Sequence, residues 1–338
     1  MKHAFKRLTA LIMIMVFTCI SLIGCTKQTH TNDIRKITLN EVAHSIFYAP
    51  QYVAIEKGYF KDEGIDLTLV TGFGADKVMT ALISGDADIG FMGSEASVYI
   101  YTGGSSDYAV NFAQLTQRAG NFLVSRDNIS NFKWSDVKGK TIIGGRAGGM
   151  PQMLLEYILK KNNIDCKKDV EIVQNIDFGS TAAAFASGLG DFTVEFEPSA
   201  TAIESENKGY IAASLGVDSG YVPYTAYCAK KSFLKNNPEI IQSFTNAIQK
   251  GLEFVNSHNS SEIAAVIAPQ FKETDIQTLT KIVERYKSQD TWKTSTVFTE
   301  DSFNLLQDIL TQAGELKSPV PYSSLVTTEF SEKALNKQ

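Results

Sequence analysis

Two glutamates, Glu195 and Glu197, stand at the end of an apolar run that alternates as a β-strand does. Strand side chains point alternately to opposite faces, so both carboxyl groups should lie opposite Val194 and Phe196. A carboxylate at a strand end accepts hydrogen bonds from amino or ring N–H groups and attracts cations. We therefore predict that Glu195 and Glu197 bind a ligand carrying such groups. The alternative is that Glu197 caps the helix after Pro198 or pairs with a lysine.

A glycine-rich segment, Gly145–Gly149, precedes a predicted helix in which Pro151 fits the first position. Free backbone N–H groups at a helix N-terminus attract anions or carbonyl oxygens. We expect Arg146, Gly148 and Gly149 to contact the ligand. The segment matches neither the P-loop nor the GxGxxG pattern, so it does not indicate a nucleotide site. Arg146 has an alternative interpretation as a solvated loop charge.

Aromatic residues and one histidine lie near the same predicted loops. Phe47, Tyr48, Phe73 and Tyr224 are candidates to stack on a flat ring, although aromatic residues are also ordinary core material. His44 is expected to donate one hydrogen bond to the ligand. A single histidine without ligating partners makes no metal site, and we expect neither a metal nor a cofactor.

Small residues end two further predicted strands. Gly72 and Gly74 follow one strand, and Gly93 and Ser94 follow the next. We expect all four to border the ligand, although Gly72 and Gly74 have an alternative as a simple turn before a helix. Ser94 occupies an N-cap position, with Glu95 in the first turn of the helix.

The elements that must position these residues follow a repeated order of strand and helix. Strands alternating with helices indicate a parallel α/β sheet, in which ligands bind beyond the carboxyl ends of the strands. After residue 226 the pattern becomes helical, beginning at Asn237-Pro238. The predicted strands are 36–42, 65–71, 88–92, 140–144, 170–173 and 191–196, and the helices are 50–57, 75–84, 151–161, 180–187, 261–267, 275–286 and 301–312.

One motif links the two halves of the chain. A helix, a Ser-Gly pair, two residues, an aspartate and a strand occur at Ser84–Asp88 and again 103 positions later at Ser187–Asp191. A chain of 338 residues also exceeds one typical core. We therefore predict two similar α/β lobes with two interlobe crossovers. The predicted segments are a signal peptide (1–24), a tether (25–34), a first lobe (35–117 plus 224–330) and a second lobe (118–223).

The N-terminus predicts export and lipid anchoring. Lys2, Lys6 and Arg7 precede an apolar run of about 16 residues, 8–23, shorter than the roughly 20 of a membrane span. The run ends in Leu-Ile-Gly before Cys25, which resembles a bacterial lipobox and implies cleavage before Cys25 and diacylation of its thiol. The alternative is an uncleaved signal anchor.

Charge and cysteine content exclude several classes of protein. Loss of residues 1–24 removes three basic residues and leaves 29 basic against 37 acidic residues, a net charge of −8. Such an acidic chain is a poor candidate for binding nucleic acid or for lying flat on anionic lipid. Cys166 and Cys228 lack a metal-ligand spacing, and we expect two free thiols rather than a bridge.

Three segments resemble a known family. The segment Tyr48–Phe60 contains Ala-Ile-Glu-Lys-Gly-Tyr-Phe, Asp62–Leu67 continues it with Asp-Glu-Gly before an apolar strand, and Gly85–Gly90 reads Gly-Asp-Ala-Asp-Ile-Gly. These runs are similar to the signatures of the solute-binding proteins of ABC importers for sulfonates, taurine, nitrate and thiamine-pyrimidine precursors. The resemblance extends over nearly all of residues 36–330.

The resemblance implies a two-lobe, periplasmic-binding-protein-like clamp that captures a small molecule outside the cytoplasmic membrane. The protein is expected to act as a monomer and to bind no nucleic acid. Its partners would be an ABC permease and a cytoplasmic ATPase, because the sequence contains no Walker A motif. A nitrogen heterocycle such as a thiamine-pyrimidine precursor is the favoured ligand, since Glu195 and Glu197 are acidic. An alkanesulfonate, taurine or nitrate is the alternative ligand. A sensory receptor and a pyrimidine-synthase-like enzyme are the alternative functions.

Overall fold

Residues 34–336 are described by a computed structural model, in which the strands form two five-stranded sheets. The predicted signal peptide, 1–24, and Cys25 lie outside the described residues. Among the helices of residues 34–336, none combines the length and the apolar character needed to cross a membrane. The two described cysteines, Cys166 and Cys228, are free thiols.

The first third of the chain alternates strands and helices as predicted. β1 pairs in parallel with both β2 and β3, because the intervening helices carry the chain back to the start of the sheet. Its elements are β1 (Arg35–Glu41), α1 (Ala49–Glu56), α2 (Tyr59–Asp62), β2 (Ile65–Thr71), α3 (Ala75–Ser84), β3 (Ile89–Gly93), α4 (Glu95–Thr102) and β4 (Ala109–Thr116).

The second sheet has the order β7-β6-β8-β5-β9. β6 is parallel to β7 and β8, whereas β5 is antiparallel to its two neighbours. This sheet and its helices form the second lobe. Its elements are β5 (Asn121–Ser125), β6 (Thr141–Ile143), α5 (Met150–Lys161), β7 (Glu171–Val173), α6 (Thr181–Ala186), β8 (Phe192–Phe196), α7 (Ser199–Ser205), β9 (Tyr210–Ser214) and α8 (Leu215–Ser219).

The chain then returns to the first sheet. β10 inserts antiparallel between β3 and β4, so the sheet order is β2-β1-β3-β10-β4. This sheet and the helices on it form the first lobe, in which α10 packs on α1 and α15 packs on α10 and β4. The returning elements are β10 (Thr225–Lys230), α9 (Lys231–Asn236), α10 (Pro238–Ser257), α11 (Ser260–Ile267), α12 (Ile276–Ser288), α13 (Glu300–Gln312), α14 (Tyr322–Leu325) and α15 (Glu329–Leu335).

The repeated aspartate has the same structural role in each lobe. Asp88 accepts a hydrogen bond from the backbone N–H of Thr38 at 2.9 Å, and Asp191 accepts one from the N–H of Thr141 at 2.9 Å. Each aspartate therefore joins the end of a helix–strand turn to the neighbouring parallel strand. The sequence repeat thus reflects a shared build of the two lobes.

Side-chain caps define where the later helices begin. Asp275 accepts hydrogen bonds from two N–H groups at the start of α12, and the Thr299 side chain accepts one at the start of α13. Asn259 and Glu262 form a capping box at α11. Such caps stabilise a helix by about 1 kcal/mol each.

The lobes pack against each other on the side where the chain crosses between them. Phe47 of the first lobe is fully buried against Phe196 of the second and Tyr286 of α12. A Cβ atom added to Gly120, in the first crossing, would lie 2.3 Å from the Phe47 ring. The close approach therefore requires glycine there, and the apolar core runs continuously through this seam.

Candidate ligand-binding site

A cavity of about 230 Å³ lies between the lobes, beyond the carboxyl ends of strands from both sheets. Loops after β1, β2 and β3 border it from the first lobe, and loops after β6 and β7 border it from the second. This is the position at which open α/β sheets bind ligands. Seven of the predicted residues line it: Tyr48, Phe73, Gly74, Gly93, Arg146, Gly149 and Tyr224.

Aromatic rings form much of the cavity wall. Tyr48, Phe73 and Tyr224 come from the first lobe, and Phe178 and Phe196 come from the second. Phe73 is 52% exposed at the rim and has a positive φ of 55°, a backbone conformation that non-glycine residues rarely adopt. Strain of this kind is concentrated at binding sites, where the surrounding structure maintains it.

The cavity lining contains three acidic residues, Asp76, Glu95 and Asp177, of which Glu95 is the buried one and was expected only in the first turn of a helix. Glu95 is 1% exposed, and its Oε1 accepts the N–H of Met150 from the second lobe at 3.3 Å. Its Oε2 has no hydrogen-bond partner among the described residues. Burial raises the pKa of Glu95 to about 7, although backbone N–H groups and the charge of Arg146 oppose the rise. An acid in a first helical turn is common, so the sequence alone does not distinguish Glu95 from an ordinary helix terminus.

A second polar group also lacks a partner inside the cavity. Tyr224 precedes β10 and is 2% exposed, and its hydroxyl makes no hydrogen bond within residues 34–336. The Tyr224 and Phe47 rings pack in a T-shaped arrangement, with their centroids 5.5 Å apart. An unpaired buried hydroxyl costs free energy, which a ligand that hydrogen-bonds to it would recover.

The glycine-rich loop meets the first lobe at the cavity mouth. Gly148 has a positive φ of 73°, and its carbonyl accepts a hydrogen bond from the Tyr99 hydroxyl at 2.7 Å. Arg146 Nε lies 3.6 Å from Asp76 Oδ1 across the cleft. Gly148 therefore borders the lobe interface rather than the cavity, whereas Arg146 lines the cavity and pairs across its rim.

Glu195 lies opposite Val194 and Phe196 as predicted, but the prediction that its side of β8 faces the ligand is wrong. Val194 and Phe196 line the cavity, and Glu195 points to the opposite face, where α6 and α7 cover the strand. Glu195 is 5% exposed and accepts the Thr193 hydroxyl at 2.7 Å. Apolar residues of β8 can face the cavity because aromatic and other apolar side chains form much of its wall, so alternation did not identify the ligand face.

Glu195 predicts a pH dependence of stability. Burial raises the pKa of its carboxyl to about 7, while hydrogen bonds from Thr193 and Thr181 oppose the rise. The folded protein then binds more protons than the unfolded chain above about pH 4.5, so the free energy of unfolding falls as the pH rises towards 7. Glu195→Gln should reduce this fall by up to about 3 kcal/mol, measured by urea unfolding at pH values of about 5 and 8. The exposed Glu206→Gln is the control, and an unchanged pH slope in Glu195→Gln would contradict the assignment.

Glu197 lies in the seam between the lobes and does not line the cavity. Its carboxylate forms an ion pair with Arg285 of α12 and accepts the N–H and the hydroxyl of Thr201, each at 2.9 Å. Its backbone carbonyl accepts the Ser45 hydroxyl at 2.5 Å. Glu197 therefore follows the alternative interpretation and not the ligand-binding one. It caps the start of α7 and pairs with a cation, which is an arginine rather than a lysine.

His44 and Phe47 also lie away from the cavity lining. His44 Nδ1 lies 2.8 Å from Glu41 Oε1, and its Nε2 lies 2.9 Å from the carbonyl oxygen of Gln270. Burial lowers the pKa of His44, but these two acceptors outweigh it and the net shift is upward. The imidazole of His44 therefore belongs to the hydrogen-bond network around the buried Glu41. Phe47 packs in the apolar core between the lobes.

Gly72 and Ser94 are supporting residues rather than lining residues. A Cβ atom on Gly72 would lie 2.8 Å from both Asn40 and Val78, so the position requires glycine for packing. The Ser94 hydroxyl donates to the carbonyl of Pro223 at 2.6 Å and makes no cap hydrogen bond. The expected side-chain cap is therefore wrong, because the hydroxyl instead joins β3 to the second crossing.

Comparisons with known proteins agree with this architecture. The NMT1/THI5-like family model matches residues 46–261. The putative binding protein YtlA of Bacillus subtilis is 44% identical over 323 residues, covering 96% of each chain. The riboflavin-binding protein RibY of Chloroflexus aurantiacus is 22% identical over 298 residues, covering 85% of this chain and 83% of RibY. The alkanesulfonate-binding protein SsuA of Xanthomonas axonopodis pv. citri, solved with MOPS bound, has a TM-score of 0.70 at 14% identity, with 87% of this chain and 98% of that chain covered.

Proposed function

Because the chain belongs to the NMT1/THI5-like family, we propose that it is the solute-binding component of an ABC importer and captures a small, flat nitrogen heterocycle. The observation that carries this proposal is the interlobe cavity, whose lining combines aromatic rings with two residues, Glu95 and Tyr224, that each have a buried polar atom without a partner among residues 34–336. Glu95 Oε2 would accept an amino or ring N–H group. The Tyr224 hydroxyl would bond to a second polar atom of the same ring.

The cavity size narrows the ligand class. Sites for drug-sized molecules enclose about 300–1,000 Å³, and this cavity of about 230 Å³ is smaller. A single substituted ring therefore fits better than a fused tricyclic system. A thiamine-pyrimidine precursor has the required size, flatness and N–H donors. The relative RibY carries the name of a protein that binds a larger nitrogen heterocycle.

Capture would proceed by closure of the two lobes. Residues 117–120 and 215–224 would serve as hinges between the first lobe, 35–117 plus 224–330, and the second lobe, 118–223. Ligand would stabilise the closed form because Glu95 and Tyr48 belong to the first lobe and Phe178 and Phe196 to the second. A membrane permease would recognise the closed form, and its cytoplasmic ATPase would drive transport.

The same proposal places the protein outside the cytoplasmic membrane, as a monomer held by lipid on Cys25. The chain would bind its ligand without transforming it. Mass spectrometry of the mature N-terminus tests the anchor: a terminus other than an acylated Cys25 would refute it.

The decisive experiment is calorimetric titration with 4-aminopyrimidines, flavins, alkanesulfonates and nitrate, combined with small-angle scattering. We expect an aminopyrimidine to bind and to reduce the radius of gyration. Binding of sulfonates alone would refute the ligand class, and binding without compaction would refute the clamp. Appearance of a chemical product would instead support the synthase-like alternative.

Tyr224→Phe is expected to weaken aminopyrimidine binding by about 0.5–1.5 kcal/mol without lowering stability. The reason is that the hydroxyl has no partner in the described residues, so only the ligand contact is lost. Tyr227→Phe is the matched control, because the Tyr227 hydroxyl is buried and donates to Gln51 at 2.9 Å. The control should lower the free energy of unfolding and leave binding unchanged. Equal affinities of Tyr224→Phe and wild type would remove Tyr224 from the site.

A further inference from the structure

The N-terminus of α5 in the second lobe has the properties of an anion site. The helix is 12 residues long, and Gly149 and Met150 at its start line the cavity. Arg146 lines the cavity immediately before it. The N–H of Met150, the positive end of the helix dipole and the guanidinium of Arg146 together attract a small oxyanion.

A carboxylate of the first lobe already lies at this position. Glu95 Oε1 accepts the N–H of Met150 at 3.3 Å, and the charge of Arg146 acts on the same carboxyl group. Glu95 is 1% exposed, and its Oε2 is buried in the cavity lining without a partner. The protein therefore supplies its own anion to the helix terminus of the opposite lobe.

We infer that Glu95 occupies the anion position of the second lobe and thereby excludes sulfonates, nitrate and other small oxyanions from the cavity. Two anions at one buried position repel strongly because little solvent screens them. A ligand that donates hydrogen bonds is accepted instead, because Oε2 is the free acceptor. The inference deepens the proposed function and rests on the cavity being the solute site.

The test is binding of methanesulfonate to wild type and to Glu95→Gln by calorimetry at a pH of about 8. Glutamine keeps the shape of the side chain, removes its charge and adds two N–H donors. We expect Glu95→Gln to bind methanesulfonate at least about tenfold more tightly than wild type. Adding Arg146→Gln to Glu95→Gln should abolish the gain, since the cation would be lost.

Glu195→Gln is the matched control. It neutralises a glutamate that is also buried and has its pKa raised to about 7, but that lies outside the cavity lining. A gain of oxyanion binding in Glu195→Gln equal to that in Glu95→Gln would overturn the inference, because a general change in net charge would explain both.

A second measurement needs no variant. Burial raises the pKa of Glu95 to about 7, so lowering the pH from about 8 to 5.5 protonates it and should strengthen methanesulfonate binding to wild type. The same affinity at both pH values, or tight binding at pH 8, would overturn the inference. Binding of an aminopyrimidine to wild type tests the proposed function separately. The other charged or titratable groups around Glu95 are Asp76, Lys77, Arg146, Asp177, Tyr48, Tyr99 and Tyr224.

Discussion

Glu95→Gln is expected to weaken binding of an aminopyrimidine by about 1.5–3 kcal/mol, which is roughly a 10- to 100-fold rise in Kd. The ligand loses a charge-assisted hydrogen bond to Oε2, the acceptor that has no partner among residues 34–336. The new amide also presents N–H donors to the N–H groups of the ligand. Calorimetry at a pH of about 8, where the wild-type carboxyl is ionised, measures the change.

The comparison with Glu195→Gln makes this prediction specific. Both glutamates are buried with a pKa raised to about 7, but Glu95 alone of the two lines the cavity. Glu195→Gln should therefore retain wild-type affinity. If instead Glu195→Gln weakened binding and Glu95→Gln did not, the ligand would lie on the other face of β8, as the sequence had suggested.

Arg285→Met is expected to lower the free energy of unfolding by about 3 kcal/mol. The substitution leaves the carboxylate of Glu197, which is fully buried, without its cation. Burial raises the pKa of Glu197 and Arg285 opposes this rise, so the ionised form depends on the pair. Urea unfolding near neutral pH measures the loss.

Two further variants separate charge burial from loss of packing. Lys281→Met removes a cation one turn earlier on α12, from an exposed pair with Glu204 at 3.9 Å, and should cost less than about 1 kcal/mol. Adding Glu197→Gln to Arg285→Met should recover part of the loss, because no buried charge remains. A double variant as unstable as Arg285→Met would show that the arginine acts through packing.

This seam also bears on lobe closure. Glu197, Ser45 and Tyr286 join the lobes beside the crossings. Across the cavity, Glu95 accepts the N–H of Met150 and Arg146 pairs with Asp76. The seam contacts are buried and numerous, and the contacts at the mouth include an exposed ion pair worth little free energy. Opening of the lobes would therefore break the contacts across the cavity mouth and retain the buried contacts beside the crossings.

The sequence by itself determined many of the elements, although strands β4, β5, β9 and β10 were not predicted. Periodicity placed strands such as Ile65–Thr71 and helices such as Ala75–Ser84 at their observed bounds. It also placed the loops after the strands, and seven of the residues predicted there line the cavity. These features are local in the chain, because turn chemistry, helix capping and side-chain period act over a few residues.

Only the tertiary structure decided which acidic group meets the cavity. β8 lies between β6 and β5 with helices over its far face, so both of its faces are buried and alternation does not identify the ligand side. Glu197 and Arg285 are 88 positions apart, and Glu95 and Met150 are 55 apart. Such pairs form only when the lobes pack together, since burial and partner choice depend on groups that are distant along the chain.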